Sequence, residues 1–189
     1  MSSELGRLIV VSGPTASGKS TLWHRLVQRS TVDFSVSATT RAPRKGEKDG
    51  YDYHFVSEEQ FQEWVAEGAF LEHAEVHGKR YGTLRKHIES SLAKGHDIVL
   101  EIDVQGAVQL KDCDLPIISI FVKPPSLDVL RQRLRDRGTE TEEQMNTRLA
   151  VVEKEMTYAK DYMFQVVNDD FARMEAEVED LLGYTRESA

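Results

Sequence analysis

The residues that predict chemistry most clearly form one glycine-rich segment, GPTASGKS (13–20). It fits the pattern G-x-x-x-x-G-K-[ST] in full, in which glycines let backbone N–H groups point inward at a polyphosphate. In this pattern Lys19 reaches the β- and γ-phosphates, and the hydroxyl of Ser20 is suited to bind Mg²⁺. The segment therefore predicts a site for a nucleoside triphosphate, but it does not indicate what is done with that nucleotide.

Basic residues are concentrated in two short segments of an otherwise acidic chain. Residues 41–48 (RAPRKGEK) and 131–137 (RQRLRDR) each carry four bases and one acid, whereas the 189 residues together have a net charge of −8. Such a charge distribution suits small, highly charged anions better than nucleic acid, which needs phosphate contacts spread over a face. For the second segment taken alone, the solvated side of a helix is the favoured interpretation.

The elements that must position these residues alternate between strands and helices. A continuous β-branched run (7–12) precedes the glycine-rich segment, and a helical pattern follows it. Continuous apolar runs predict strands that are buried on both faces, so we expect a parallel sheet covered by helices in an α/β fold. Further strands are predicted at 97–102, 116–122 and 164–168, and further helices at 83–94, from Ser126, from Thr141 as N-cap, and at 171–182.

Residues from about 36 to 82 break this alternation. Three short segments, at 34–40, 51–56 and 70–76, resemble strands of a smaller and partly exposed sheet. Between the last two lies a helix signal with Ser57 as the cap and Gln60 three residues later. We interpret this stretch as a lobe inserted into the core.

Composition excludes several other classes of protein. No run approaches the roughly 20 apolar residues of a membrane helix, and the first residues are too polar for a signal peptide. Cys113 is the only cysteine, which rules out an internal disulfide and indicates a reducing compartment. We therefore predict a cytoplasmic protein with no membrane partner.

An ordered set of further motifs extends the signal over nearly the whole chain. The motifs are SATTRAPRKGE (37–47), GYDYHF (50–55), FLE (70–72), YGT (81–83), EIDVQG (101–106), RGT (137–139) and NDD (168–170). With this set, the sequence resembles the guanylate kinase family. The resemblance implies a P-loop three-layer α/β fold with a central parallel sheet, an inserted mixed α/β GMP-binding lobe and a helical lid. It also implies transfer of the γ-phosphoryl group of MgATP to GMP, and to dGMP, with release of ADP.

The resemblance also implies domain boundaries and partners. The P-loop core would comprise 1–35, 84–127 and 156–189, the GMP-binding lobe 36–83, and the lid 128–155. The expected partners are the small molecules ATP and GMP, without nucleic acid or membrane, and the oligomeric state is left open.

For GMP, the resemblance implies one group of residues around the phosphate and another around the base. Guanine presents N–H donors where adenine presents an acceptor, and a carboxylate only accepts, so acidic residues favour guanine. Arginine forms bidentate pairs with phosphate oxygens. The implied phosphate ligands are Arg41, Arg44, Tyr53 and Tyr81, and the implied base ligands are Ser37, Glu72, Thr83 and Asp103.

For ATP and for catalysis, the implied residues come from the phosphate loop and the lid. They would hold two mutually repelling nucleotides and neutralise the charge that develops between them. The ATP ligands are Gly13, Pro14, Thr15, Ala16, Ser17, Gly18, Lys19, Ser20, Thr21 and Asn168. The catalytic residues are Lys19, Arg41, Arg137 and Arg148, with Arg133 as a weaker candidate. Ser20 would bind Mg²⁺, with Asp103 as an alternative ligand through water.

Three alternatives stay open at this point. A guanylate-kinase-like scaffold module would lack catalysis, although such modules have typically lost the working loop. A related kinase for a phosphorylated sugar would not require Glu72 and Asp103. The string GPTASGK also resembles a tRNA-prenylating family, which nothing downstream supports.

The loop departs from the guanylate kinase pattern at Thr15-Ala16, where Ser-Gly is usual, so the backbone at Ala16 must accept a Cβ atom.

Overall fold

The structure, a computed structural model, describes residues 5–76, 78–137 and 141–184. Within these residues, helices and strands alternate for most of the chain. The strands are β1 (Leu8–Ser12), β2 (Val32–Phe34), β3 (Ala38–Thr39), β4 (His54–Phe55), β5 (Phe70–Val76), β6 (Lys79–Leu84), β7 (Asp97–Glu101), β8 (Ile117–Lys123) and β9 (Phe164–Val167). The helices are α1 (Lys19–Leu26), α2 (Glu58–Ala66), α3 (Arg85–Ala93), α4 (Val104–Gln109), α5 (Leu127–Arg137), α6 (Glu142–Met156) and α7 (Phe171–Leu182), with a short 3₁₀ turn at Ala159–Asp161.

The larger sheet contains the strands predicted from the continuous apolar runs. Its five strands follow the order β2-β7-β1-β8-β9, and the β2–β7 and β8–β9 pairs are parallel. Every residue of β1 is buried, as expected for a strand covered on both faces. The predicted α/β fold with a central parallel sheet is confirmed.

The chain divides into two compact units. The first is built from residues within Met1–Val10 and Leu26–Ile117, and the second from residues within Val11–Arg25 and Ile118–Ala189. The phosphate loop falls in the second unit, and residues 36–83 fall in the first.

The first unit contains the smaller sheet, in the order β4-β3-β6-β5. Its own apolar cluster forms around the buried residues Ala38, Phe61 and Phe70. Helix α2 supplies Phe61 and begins as predicted, with the Ser57 side chain accepting a hydrogen bond from the Gln60 backbone N–H.

The strand prediction for 34–40 is wrong in part. Residues up to Phe34 belong to β2, which pairs with β7 in the larger sheet, and only Ala38–Thr39 joins the smaller sheet. Ser35 still donates its N–H to the carbonyl oxygen of Val99 in β7. The chain therefore passes from the larger sheet to the smaller one between Ser35 and Ala38. The helix predicted from 83 begins two residues later, since β6 continues to Leu84.

In the second unit, α5 and α6 share an apolar cluster built on Leu130, Leu134, Met145, Leu149 and Val152. Helix α6 begins at the predicted cap. The Thr141 side chain accepts from the Gln144 N–H, and the Gln144 side chain accepts from the Thr141 N–H. This reciprocal pair satisfies two donors that the first helical turn leaves without partners.

A search of the described residues for bilayer-spanning segments finds no helix that combines the length and the apolar character required.

Candidate functional site

Two glycines in the phosphate loop are required by its backbone conformation and by the close approach of neighbouring atoms. Gly13 and Gly18 have φ values of 142° and 103°, which side chains other than hydrogen rarely allow. A Cβ atom at Gly13 would lie 2.2 Å from the carbonyl oxygen of Val122, and one at Gly18 would lie 2.1 Å from Nδ2 of Asn168. The loop therefore packs directly against the ends of β8 and β9.

Ala16 adopts a left-handed backbone with a φ of 58°, and within the described part of the chain it is alone among non-glycine residues in having a positive φ. Its side chain packs against the apolar cluster shared by α5 and α6. The left-handed conformation is strained for alanine by about 1 kcal/mol or more. The methyl group that glycine lacks gains contacts with that cluster, so the loop accepts the departure from the family pattern.

Lys19 turns its ammonium group back onto the loop. Its Nζ donates to the carbonyl oxygens of Gly13, at 2.7 Å, and Pro14, at 2.8 Å. Ser20 and Thr21 follow in the first turn of α1, where both are exposed. The loop thus surrounds a cationic group with backbone at the start of a helix, the arrangement that binds phosphate in proteins.

Two side chains that the sequence predicted to act on ATP itself or in catalysis instead support the loop directly. Nδ2 of Asn168 donates to the carbonyl oxygen of Ser17 at 2.7 Å, with both residues buried. Arg133 donates from Nη2 to the carbonyl oxygen of Asn168 at 2.8 Å and from Nη1 to that of Ala16 at 3.4 Å. Both residues thereby connect the loop to β9 and α5, and no spacing rule in the sequence indicates those contacts.

Two of the arginines predicted to be catalytic come from α5 and α6. Arg148 is half-buried on α6. The side chain of Arg137 lies outside the described residues, at the end of α5.

The first unit contains a second cluster of candidate residues, centred on Arg41. Its Nη1 and Nη2 donate to Oε2 and Oε1 of Glu47 at 2.9 and 3.0 Å. Its guanidinium carbon also lies 5.2 Å from the ring centroid of Tyr53 and 5.7 Å from that of Phe55. Tyr53 and Tyr81 meet edge to face with their centroids 6.0 Å apart, so three of the four predicted phosphate ligands lie together.

Glu47 is a residue that the sequence interpretation did not single out. Besides the bidentate pair, it accepts a hydrogen bond from the backbone N–H of Arg44 at 2.6 Å. The hydrogen bonds with Arg41 raise the pKa of the guanidinium further above its ordinary value and lower the pKa of the Glu47 carboxyl. Arg44, the fourth predicted phosphate ligand, is exposed on the same loop.

Glu72 is a buried acid whose position follows from strand register. It lies on β5 opposite Thr83 of β6, and the Thr83 hydroxyl donates to its Oε1 at 2.5 Å. Only 5% of Glu72 is exposed. Burial, with a smaller contribution from the charge of Asp103, raises the pKa of the Glu72 carboxyl to about 7, against the opposing hydrogen bond from Thr83.

Asp103 caps α4 beside this carboxyl group. Its Oδ1 accepts hydrogen bonds from the N–H groups of Gln105, at 2.9 Å, and Gly106, at 3.0 Å. Gly106 also approaches Glu72, because a Cβ atom there would lie 2.4 Å from Glu72 Oε2. Two carboxyl groups and a hydroxyl therefore converge, which makes an acceptor-rich surface suited to a ligand edge that carries N–H donors.

Ser37, the last predicted base ligand, lies half-buried just before β3. Its carbonyl oxygen accepts a hydrogen bond from the N–H of His54, which joins the start of β3 to β4.

Comparison with known proteins gives consistent matches. The family model described as guanylate kinase matches residues 5–184. Guanylate kinase from Clostridium perfringens (strain SM101) is 44% identical over 178 residues, which cover 94% of this chain and 82% of that protein. The enzyme named guanylate kinase from Alkalilimnicola ehrlichii is 46% identical over 175 residues, covering 92% and 86%. A crystal structure of guanylate kinase from Anaplasma phagocytophilum superposes with a TM-score of 0.79 at 35% identity, covering 97% and 87%. The matched span contains both clusters of candidate residues.

Proposed function

The chain belongs to the guanylate kinase family, and on this premise we infer that it is an ATP:GMP phosphotransferase whose two clusters of polar residues each hold one nucleotide. It transfers the γ-phosphoryl group of ATP to GMP and releases ADP and GDP. One observation carries this inference: the family match extends over residues 5–184 and includes an intact Gly18-Lys19-Ser20 at the start of α1.

We propose that ATP binds through the phosphate loop, residues 13–21, with Asn168 acting through the loop backbone. The Lys19 ammonium is already held at the loop by two carbonyl oxygens, so it needs only a short movement to contact a phosphate. Arg133 and Asn168 hold the loop backbone in place, which limits the ordering that ATP binding must impose.

We propose that Mg²⁺ accompanies ATP. The hydroxyl oxygen of Ser20 is a hard ligand of the kind Mg²⁺ prefers, and it lies exposed directly after Lys19. When bound, the ion would neutralise charge on the β- and γ-phosphates. A water-mediated contribution from Asp103 stays a prediction.

For the GMP phosphate, the proposed ligands are Arg41, Arg44, Tyr53 and Tyr81. Glu47 engages the Nη1 and Nη2 end of Arg41, which fixes the guanidinium plane next to the ring of Tyr53, another of these proposed ligands. Burial raises the pKa of Tyr53, so its hydroxyl stays protonated and can donate to phosphate oxygens.

For the guanine base, the proposed ligands are Glu72 and Asp103, with Ser37 and Thr83 near O6. The Thr83 hydroxyl occupies Oε1 of Glu72, and backbone N–H groups occupy Oδ1 of Asp103. The other oxygen of each carboxyl group can then accept from N1–H and the 2-amino group of guanine. Adenine presents a lone pair at N1, which would leave a buried carboxylate unpaired.

Catalysis would then rest on positioning and charge neutralisation, because phosphoryl transfer needs little covalent help from the protein. Lys19 and Arg41 act on the donor and acceptor phosphates respectively. Arg137 and Arg148 are proposed to add positive charge around the transferred group.

The function is tested by a coupled assay of ADP release with GMP, dGMP, AMP, UMP and a ribose bisphosphate as acceptors. We expect turnover with GMP and with dGMP, and little with the others. Turnover on the sugar alone would favour the sugar-phosphate kinase, and ATP binding without turnover on any acceptor would favour the scaffold module.

The Lys19→Ala variant tests the phosphate assignment. It should abolish turnover while its circular dichroism spectrum matches that of the wild type, since its Nζ donates to carbonyl oxygens of the loop it serves. Lys94→Ala, at an exposed lysine after α3, is the matched control and should keep full activity. A Lys19→Ala enzyme with wild-type rates would refute the assignment.

The cytoplasmic location stays a prediction from the single cysteine.

A further inference from the structure

Gly106 lies between the two acidic side chains proposed to bind guanine, and we propose that it is a positioning residue that selects the base. Its role is to leave the space in which the Glu72 carboxyl group must sit while its own N–H holds Asp103. This inference rests on the proposed function and names a determinant of its acceptor specificity.

The contacts of Gly106 connect it to both acids. Its N–H donates to Asp103 Oδ1 at 3.0 Å. A Cβ atom at this position would lie 2.4 Å from Oε2 and 3.1 Å from Cδ of Glu72. The clash could not be relieved cheaply, because Glu72 is only 5% exposed and its Oε1 is held by the Thr83 hydroxyl at 2.5 Å.

The backbone gives no other reason for a glycine here. Gly106 lies inside α4, and it is not among the glycines with a positive φ. Alanine would fit that conformation and would favour the helix. The third nearest atom to the added Cβ, Cδ1 of Ile102, is at an ordinary contact distance of 3.5 Å. The Glu72 carboxyl group is therefore what demands a glycine at this position.

A methyl group at residue 106 must displace the Glu72 carboxyl group. The displaced group either turns away from the N–H donors of guanine, which removes a charge-assisted hydrogen bond to GMP, or loses the Thr83 hydroxyl that holds it in position. The ATP loop lies in the other compact unit.

The test compares Gly106→Ala with the wild type in steady-state kinetics. We expect the KM for GMP to rise about tenfold or more, which is the range for one lost hydrogen bond to a charged group. The KM for ATP should stay within twofold, while the melting temperature falls because the added methyl group strains a buried site. A purely structural role would raise the KM for both substrates.

Ala107→Gly is the control for helix stability. It weakens α4 by the reverse exchange at the next residue, without adding an atom near Glu72, so its KM for GMP should match that of the wild type.

The second variant is the double change Gly106→Ala with Glu72→Asp, in which the shorter acid retreats from the added methyl group. Its KM for GMP should be lower than the product of the two single effects predicts. If Gly106→Ala alone does not fold, recovery of folding in the double variant supports the same contact.

Two results would overturn the inference while the proposed function stands: a wild-type KM for GMP in Gly106→Ala, or fully multiplicative effects in the double variant. A wild-type enzyme that fails to phosphorylate GMP would instead overturn the proposed function.

Discussion

Replacing Glu72 by glutamine should make the protein more stable at alkaline pH while weakening its use of GMP. The carboxyl group is buried, and burial is the main cause that raises its pKa to about 7 from the ordinary value of 4.5. A glutamine keeps an oxygen that can accept from the Thr83 hydroxyl, but it carries no charge that must be desolvated.

The magnitude follows from the difference between the two pKa values. The folded protein binds the Glu72 proton more tightly than the unfolded chain, so the free energy of unfolding falls as the pH rises from about 4.5 to about 7. The loss is complete above the folded pKa. At about 1.4 kcal/mol for each pH unit, it amounts to about 3 kcal/mol. The glutamine variant does not undergo this loss, so it should gain stability relative to the wild type across the same window.

Urea unfolding monitored by tryptophan fluorescence at pH 5 and pH 8 measures the effect. We expect the difference between variant and wild type to grow by most of that amount between the two pH values. Glu75→Gln, at an exposed position on the same strand, is the matched control and should show no such growth. A Glu72→Gln difference that is equal at both pH values, or that favours the wild type more at pH 8, would refute the reasoning.

The same variant should raise the KM for GMP with little change in the KM for ATP, because an amide offers guanine one acceptor fewer. In the wild type, the KM for GMP should rise as the pH falls below about 7, where Glu72 takes up its proton. A change confined to the KM for ATP would count against the guanine assignment.

Two further variants test residues identified from the structure. Glu47→Gln should raise the KM for GMP about tenfold and leave that for ATP unchanged, since it removes the charged partner that orients Arg41; equal increases for both substrates in steady-state kinetics would contradict this. Asn168→Ala should raise the KM for ATP and lower the free energy of unfolding by about 1–2 kcal/mol, because it leaves the buried carbonyl oxygen of Ser17 without its donor. Chemical denaturation and ATP titration measure both effects, and an unchanged KM for ATP would argue against the supporting role.

The phosphate loop could be predicted from the sequence because its determinants are local. A buried strand, two obligatory glycines and a helix start lie within about a dozen consecutive residues, and the structure has each of them there. The need for a Cβ-compatible backbone at Ala16 could also be stated in advance. That the backbone would be left-handed, with the methyl group packed on the cluster of α5 and α6, depends on helices more than a hundred residues away.

The second cluster was predictable only through the family resemblance. The hydrogen bond between Thr83 and Glu72 exists because β5 and β6 pair in one register, which short-range patterns do not determine. In the sequence, Glu47 is indistinguishable from other surface acids, because its ion pair with Arg41 is visible only in the structure. In the same way, the sequence shows Gly106 only as a residue of low helix propensity, because the neighbouring carboxyl group of Glu72 comes from a distant strand.

The bonds from Lys19 to two loop carbonyl oxygens alter what a binding measurement on this protein reports. The ammonium group has partners before any nucleotide arrives, at 2.7 and 2.8 Å, so a phosphate replaces interactions instead of adding them. When Lys19 is replaced by alanine, the measured loss of ATP affinity would therefore understate the attraction between the ammonium group and the triphosphate. The difference is roughly the strength of the two hydrogen bonds to the loop carbonyl oxygens. The carbonyl oxygens of the loop and the oxygens of the triphosphate therefore compete for the same ammonium group.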